Sequence, residues 1–234
     1  MGPIGKQAGH ATASPSSECI QPPRNPSTMT TRPTRFPPYG KPLVFCVSLL
    51  PLVWLCWLAW QDRLGANPVE TLSHRTGDWS LRFLLLTLAV TPLRRLSGWN
   101  WLLKFRRMLG LFAFFYVCLH LGVYLIFDQF FDPSAILEDI AKRPYITVGF
   151  AGFLLLIPLA ATSTNGMIKR LGRNWQRLHR LVYLIGMLGV VHYWWLVKAD
   201  ISEPLLYAGL LTMLLGYRAW WWNVHSPTAA RSTR

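Results

Sequence analysis

Residues 105 to 128 read FRRMLGLFAFFYVCLHLGVYLIFD. From Met108 to Phe127 there is no charged residue, which is close to the ~20 apolar residues that a helix needs to cross the hydrocarbon core of a bilayer. The run is closed on one side by Arg106 and Arg107 and on the other by Asp128. Inside it stands one ionisable group, His120. Such groups are costly within a span and usually functional. The stretch therefore gives both a class of protein and a place to look for its chemistry.

Five more apolar segments share this character, at roughly 43 to 60, 79 to 93, 146 to 161, 181 to 197 and 204 to 222. With 52% hydrophobic residues over 234 positions, they predict an all-α membrane protein, a six-transmembrane-helix bundle. The segment from 79 to 93 is the weakest, being short and carrying Arg82.

The formal charge of +14 raises nucleic acid as a partner, but the placement of the charges argues against it. Lys41 and the bases before it precede the first segment. Arg94, Arg95, Lys104, Arg106 and Arg107 lie between the second and third, and Lys169, Arg170, Arg173, Arg177 and Arg180 between the fourth and fifth. The other loops hold nine of the ten acidic residues, Asp62, Glu70, Asp78, Asp128, Asp132, Glu138, Asp139, Asp200 and Glu203. The positive-inside rule puts both termini and the basic loops in the cytoplasm. Insertion explains the charge, and no nucleic-acid partner is expected.

Residues 1 to 41, rich in Pro, Ser and Thr, are expected to form a disordered cytoplasmic tail with no secretory signal. Met29 opens a more ordinary beginning, so an over-extended start is expected. The bundle occupies residues 42 to 223, and 224 to 234 form a second cytoplasmic tail. No internal repeat is evident at solenoid periods. Cys46, Cys56 and Cys118 are expected as buried structural thiols. Cys19 lies in the tail, and no CxxCH motif attaches a haem covalently. The tryptophans cluster near the predicted interfaces, where they serve as belt anchors.

His192 is the second histidine within a span. It precedes Lys198 by 6 residues and His120 precedes Asp128 by 8, about 9 Å and 12 Å from the outer helix ends at 1.5 Å per residue. Two imidazoles at matched depth on parallel helices suggest the axial ligands of one b-type haem, and hence an electron carrier. The plainer reading is that each hydrogen-bonds to a neighbouring helix. His179 lies at the cytoplasmic start of the fifth segment. Thirteen residues on an ideal helix put it roughly 140° out of phase with His192, so a shared inward face needs an irregularity near Gly186 or Gly189. Arg107 occupies the matching inner position of the third segment. A second bis-histidine haem is not supported by this pattern. For His179 the open readings are ligation with another group, a propionate contact, a quinone or flavin headgroup contact, or a polar interfacial role. His74 could reach a propionate or a docking surface, or be a plain loop histidine; His10 and His225 carry no assigned role. No buried acid marks a proton relay, and no GxGxxG, P-loop or soluble nicotinamide domain is present.

The stretches at 105 to 128, RPYITVGFAGFLLLIPLAATST (143 to 164), LGRNWQRLHRLVYLIGMLGVVHYWWLVK (171 to 198) and NPVETLSHRTGDWSLRFLLLTLAVTPLR (67 to 94) resemble the MsrQ (YedZ) family, within the ferric-reductase-like transmembrane group. The resemblance covers roughly residues 43 to 222. It implies a haem-binding cytochrome b of the bacterial inner membrane. Such a subunit passes electrons from the quinone pool to MsrP, a periplasmic molybdopterin enzyme that repairs methionine sulfoxide in envelope proteins; catalysis is then the partner's. The family's haem histidines fall on His120, His179 and His192, and an FMN supplied with a cytosolic flavin reductase is associated with the family. Larger relatives such as NADPH oxidases use four histidines, two on each helix. The alternatives are a self-standing ferric or cupric reductase, which needs a flavin domain, and a non-redox transporter with structural histidines.

Overall fold

A computed structural model of the chain describes residues 39–197 and 201–225. The proposed tail and start site before Tyr39, His10, Cys19, residues 198 to 200 and the C-terminal residues beyond His225 lie outside the described residues, as does the His225 side chain. Nine α-helices and no strand are present among the described residues. They are α1 (Gly40–Trp60), α2 (Pro68–Ser97), α3 (Leu103–Val123), α4 (Pro133–Lys142), α5 (Pro144–Ala161), α6 (Asn165–Leu171), α7 (Arg173–His179), α8 (Leu181–Leu196) and α9 (Ser202–His225). Each of the six expected apolar segments falls on a helix. Among the described residues, three stretches are by length and composition able to cross a membrane: Gly40–Trp60, Asn100–Asp128 and Pro144–Ala161. The chain is a helical membrane protein.

The largest departure from expectation is α2, which starts eleven residues before the apolar segment at 79. Its start is set by Asn67, whose side chain accepts the Glu70 N–H, and by Pro68 in the first turn, where a missing N–H costs nothing. At 1.5 Å per residue, 30 residues make a rod about 45 Å long. Asp78 is therefore inside a helix and buried, which corrects the expectation that no acid lies buried in the bundle. Leu81, Leu84, Leu85 and Leu88 form the apolar stripe of this helix and pack in the core with Phe112, Leu156, Leu159, Ile185 and Leu211.

The helices associate in pairs, α2 along α3 and α5 along α8, with α9 against α8 and α2 and α1 against α3. One contact ties α1 to the rest. Tyr116 on α3 is fully buried, donates its hydroxyl hydrogen to the Ser48 carbonyl (2.9 Å) and accepts the Leu52 N–H (3.2 Å). It stands in the α1 ladder where these two groups normally meet each other, one residue beyond Pro51.

Two sequence readings are corrected. Cys46, Cys56 and Cys118 are exposed, because they project from the outer faces of α1 and α3 while Leu55, Phe112 and Tyr116 take the inner ones. The irregularity between His179 and His192 lies at Arg180, which separates α7 from α8, and not at Gly186 or Gly189, both inside α8.

Candidate functional site

His120 on α3 and His192 on α8 face each other across a cavity of about 510 Å³. Their ring centroids are 6.1 Å apart and their planes 79° from parallel. The cavity's deep walls are Leu81, Leu84, Ala113, Val117, Leu156 and Ile185. Its polar lining comes from His74, Asp78, Tyr124, Gln129, Arg143 and Tyr193. This combination of apolar body and few polar groups suits a cofactor pocket, and the volume is within the roughly 300–1,000 Å³ typical of one.

Both rings are held the same way. His120 Nδ1 lies 2.9 Å from the Ser73 carbonyl of α2, and His192 Nδ1 lies 2.7 Å from the Tyr145 carbonyl of α5. A carbonyl oxygen only accepts, so the hydrogen sits on Nδ1 and the donated bond leaves a lone pair on each Nε2. That is the tautomer a metal-binding imidazole needs. With metal–nitrogen bonds of about 2.0–2.1 Å, each ring centroid stands about 3 Å from the ion, so two opposed imidazoles stand roughly 6 Å apart. The observed spacing meets this test.

Two features close the cavity where α3 ends. After α3 the chain forms a π-helical turn, Tyr124–Asp128, a distortion frequent at functional sites. Phe130 and Phe131 then take left-handed conformations (φ 47° and 57°), which reverse the chain into α4. Ile136 and Ile140 of α4 line the cavity, and Asp139 accepts from Tyr124 (3.2 Å) and Gln129 (2.7 Å) and pairs with Arg143 (3.1 Å).

His179 is not part of this site. It lines a second cavity of about 460 Å³ with Lys41, Lys104, Arg106, Arg107 and Trp175. Its ring stacks on Trp175 at 3.9 Å, and Nδ1 lies 3.1 Å from the Trp175 carbonyl. Nε2 is buried and has no hydrogen bond of normal geometry, the Leu159 carbonyl being only a weak neighbour. Burial, and among the lowering causes next the Arg106 charge, hold its pKa below the ordinary histidine value. Leu84 and Leu156 line both cavities and separate them.

Sequence reasoning missed the polar network between α2, α8 and α9. Arg82 Nε donates to the Tyr207 hydroxyl (2.8 Å) and its guanidinium lies 4.9 Å from the Trp79 ring centre. Tyr193 donates to Glu203 (2.8 Å) and stands beside Asp78. Arg82 marked the segment as weak; its phenol partner, 125 residues away, has no local signature.

The model of the ferric reductase like transmembrane component matches residues 76–190. The protein-methionine-sulfoxide reductase heme-binding subunit MsrQ of Herminiimonas arsenicoxydans is 55% identical over 194 residues, 81% of this chain and 89% of the relative. The subunit of the same name from Xanthomonas oryzae pv. oryzae is 58% identical over 187 residues, 77% of this chain and 86% of the relative. The chain belongs to the MsrQ family. A third member, from Ralstonia nicotianae, is 55% identical over 181 residues, 76% of this chain and 83% of its own length. The family model takes in most of α2, all of α3 and α5, and α8 as far as Val190, two residues short of His192.

Proposed function

We propose that this chain is the b-type cytochrome subunit of a protein-methionine-sulfoxide reductase system in the bacterial inner membrane. Residues 42 to 223 form its six-span domain, with both termini cytoplasmic. It takes electrons from the quinone pool, by way of an FMN supplied with a cytosolic flavin reductase. It delivers them to a periplasmic molybdopterin subunit, MsrP, where the sulfoxide is reduced.

The observation that carries this reading is the 6.1 Å separation of the His120 and His192 rings, each with its Nε2 lone pair free. These two residues would hold a haem iron through their Nε2 atoms. A haem bound there would supply a one-electron couple. The chain's own part is to orient and to exclude water. The Ser73 and Tyr145 carbonyls fix both tautomers, the leucine-lined walls keep the pocket dry, and Arg143 and His74 in the polar lining suit the propionates. Acidic loops put this cavity at the outer face, which makes it the electron exit.

The inner cavity serves entry. Lys41, Lys104, Arg106 and Arg107 provide a positive field for an anionic planar group, FMN or a second haem, with His179 as the ligand or headgroup contact.

The test is optical. The purified protein shows a Soret band that shifts on reduction, and His192→Ala loses the low-spin outer haem; a full-occupancy low-spin haem in that variant sinks the ligand assignment. Reduced protein is reoxidised by the periplasmic subunit in the presence of sulfoxide substrate. Failure of that step refutes the partner while leaving the haem standing.

A further inference from the structure

The two histidine settings are copies of one another. In each, the imidazole lies on a helix glycine and is hydrogen-bonded to the carbonyl one turn earlier on that same helix. The residues are Ser73, Gly77 and His120 in one set and Tyr145, Gly149 and His192 in the other, every member displaced by 72 positions. Both hydrogen bonds accordingly span 47 residues. The recurrence is longer than solenoid periods and shares few side chains between the sets, so inspection of the sequence alone does not disclose it.

A Cβ on Gly149 would stand 2.7 Å from His192 Nδ1 and 2.8 Å from Cε1. The ring has no room to retreat without breaking its 2.7 Å bond to the Tyr145 carbonyl. On Gly77 a Cβ would stand 3.3 Å from both Nδ1 and Cε1 of His120, a contact relieved by a few tenths of an ångström. Neither glycine has a positive φ, so its backbone conformation is open to any residue. What demands glycine is the imidazole, because absence of a side chain is what permits close approach to the backbone.

We infer that Gly77 and Gly149 are positioning residues for the two axial imidazoles, and that Gly149 is the stricter. Each glycine opens the helix surface so that the ring reaches the preceding carbonyl, and that bond turns Nε2 to the cavity. The inference rests on the haem reading of the site and deepens it.

The experiment compares wild-type full-length protein, purified in detergent, with Gly149→Ala, Gly77→Ala and Gly122→Ala. Gly122 is on the His120 helix with nothing within 4 Å of an added Cβ. Haem content is read optically and spin state by electron paramagnetic resonance. Gly122→Ala keeps the wild-type low-spin signal. Gly77→Ala keeps a low-spin iron with shifted g-values. Gly149→Ala loses the low-spin signal in favour of a high-spin one, and free imidazole restores it. Wild-type g-values and haem content in Gly149→Ala overturn the inference, as does an equal loss in Gly122→Ala. If Gly149→Ala fails to accumulate, Gly77→Ala decides, and unchanged g-values in it are the overturning result. A wild-type protein without a haem band refutes the haem reading instead. The placement is then read by 15N NMR of the histidines: loss of the Nδ1-protonated His192 signal in Gly149→Ala supports it, and persistence of that signal overturns it.

Discussion

Breaking the Arg82–Tyr207 contact tests whether α9 is held to α2 by a specific polar bond or only by packing. Tyr207 is buried, and its hydroxyl accepts from Arg82 Nε at 2.8 Å. Hydrogen bonds to charged groups contribute about 1.5–3 kcal/mol in soluble proteins. Between membrane helices measured couplings average about 0.6 and reach about 1.7 kcal/mol, because the separated helices find other partners. A guanidinium also resting on Trp79 is poorly placed to find one, so the upper end applies, about 1.5 kcal/mol, roughly a tenfold change in the unfolding equilibrium. A double-mutant cycle with Arg82→Met and Tyr207→Phe isolates this value. Each single variant loses it, and the double variant loses little more than either, since replacing both partners leaves no donor stranded. Denaturant titration in mixed micelles, read by tryptophan fluorescence, supplies the four stabilities. A coupling below about 0.3 kcal/mol, within the scatter of independent sites, refutes the reasoning.

Three other outcomes follow from named contacts. On the proposed haem reading, the 79° between the His120 and His192 planes would give the oxidised protein a large-gmax low-spin resonance; an ordinary rhombic signal contradicts this geometry. Tyr116→Phe leaves the packing of the ring intact and removes two hydrogen bonds to α1, lowering stability by about 1–2 kcal/mol, measured in the same denaturant assay; no change means α1 re-forms its own ladder there. Asp132 caps α4, accepting from the Ser134 N–H (2.9 Å) and Oγ–H (2.6 Å), and these bonds hold its carboxyl below the usual range. A depressed folded-state pKa means the unfolded segment takes up the proton first. The cap's stabilisation is therefore complete above the ordinary Asp value and is lost as pH falls through the lower one. Hydrogen-exchange protection factors over residues 133 to 142, corrected for the intrinsic rate at each pH, should fall over that acid range, and Asp132→Asn should remove this fall; an unchanged profile in the variant counts against the cap.

Hydropathy located all six long segments because their apolar residues are contiguous, and depth from the flanking charges was enough to pair His120 with His192. The start of α2 was misplaced for a physical reason: hydropathy reports where a helix is apolar, whereas Asn67 and Pro68 decide where it begins. Asp78 looked like a loop acid on that account. The short helices α4, α6 and α7 carry too few apolar residues to register against long spans. The partners of the two imidazoles were out of reach altogether, since Ser73 and Tyr145 contribute carbonyls, which every residue possesses. His179 and His192 line different cavities, as their helical phase implies, and the interruption between α7 and α8 falls at Arg180, a residue without the signature of a breaker.

Leu84 and Leu156, the pair between the two cavities, bear on energy conservation. Their side chains offer neither donor nor acceptor, so they interrupt any wire of hydrogen bonds along which a proton could hop. An electron needs no such wire, since its wavefunction extends through a few ångströms of saturated carbon. On the proposed function, the septum discriminates by particle type: it would let electrons cross between the two cavities while barring protons. Exchanging either leucine for a serine or an asparagine would put that insulation at risk without touching a ligand.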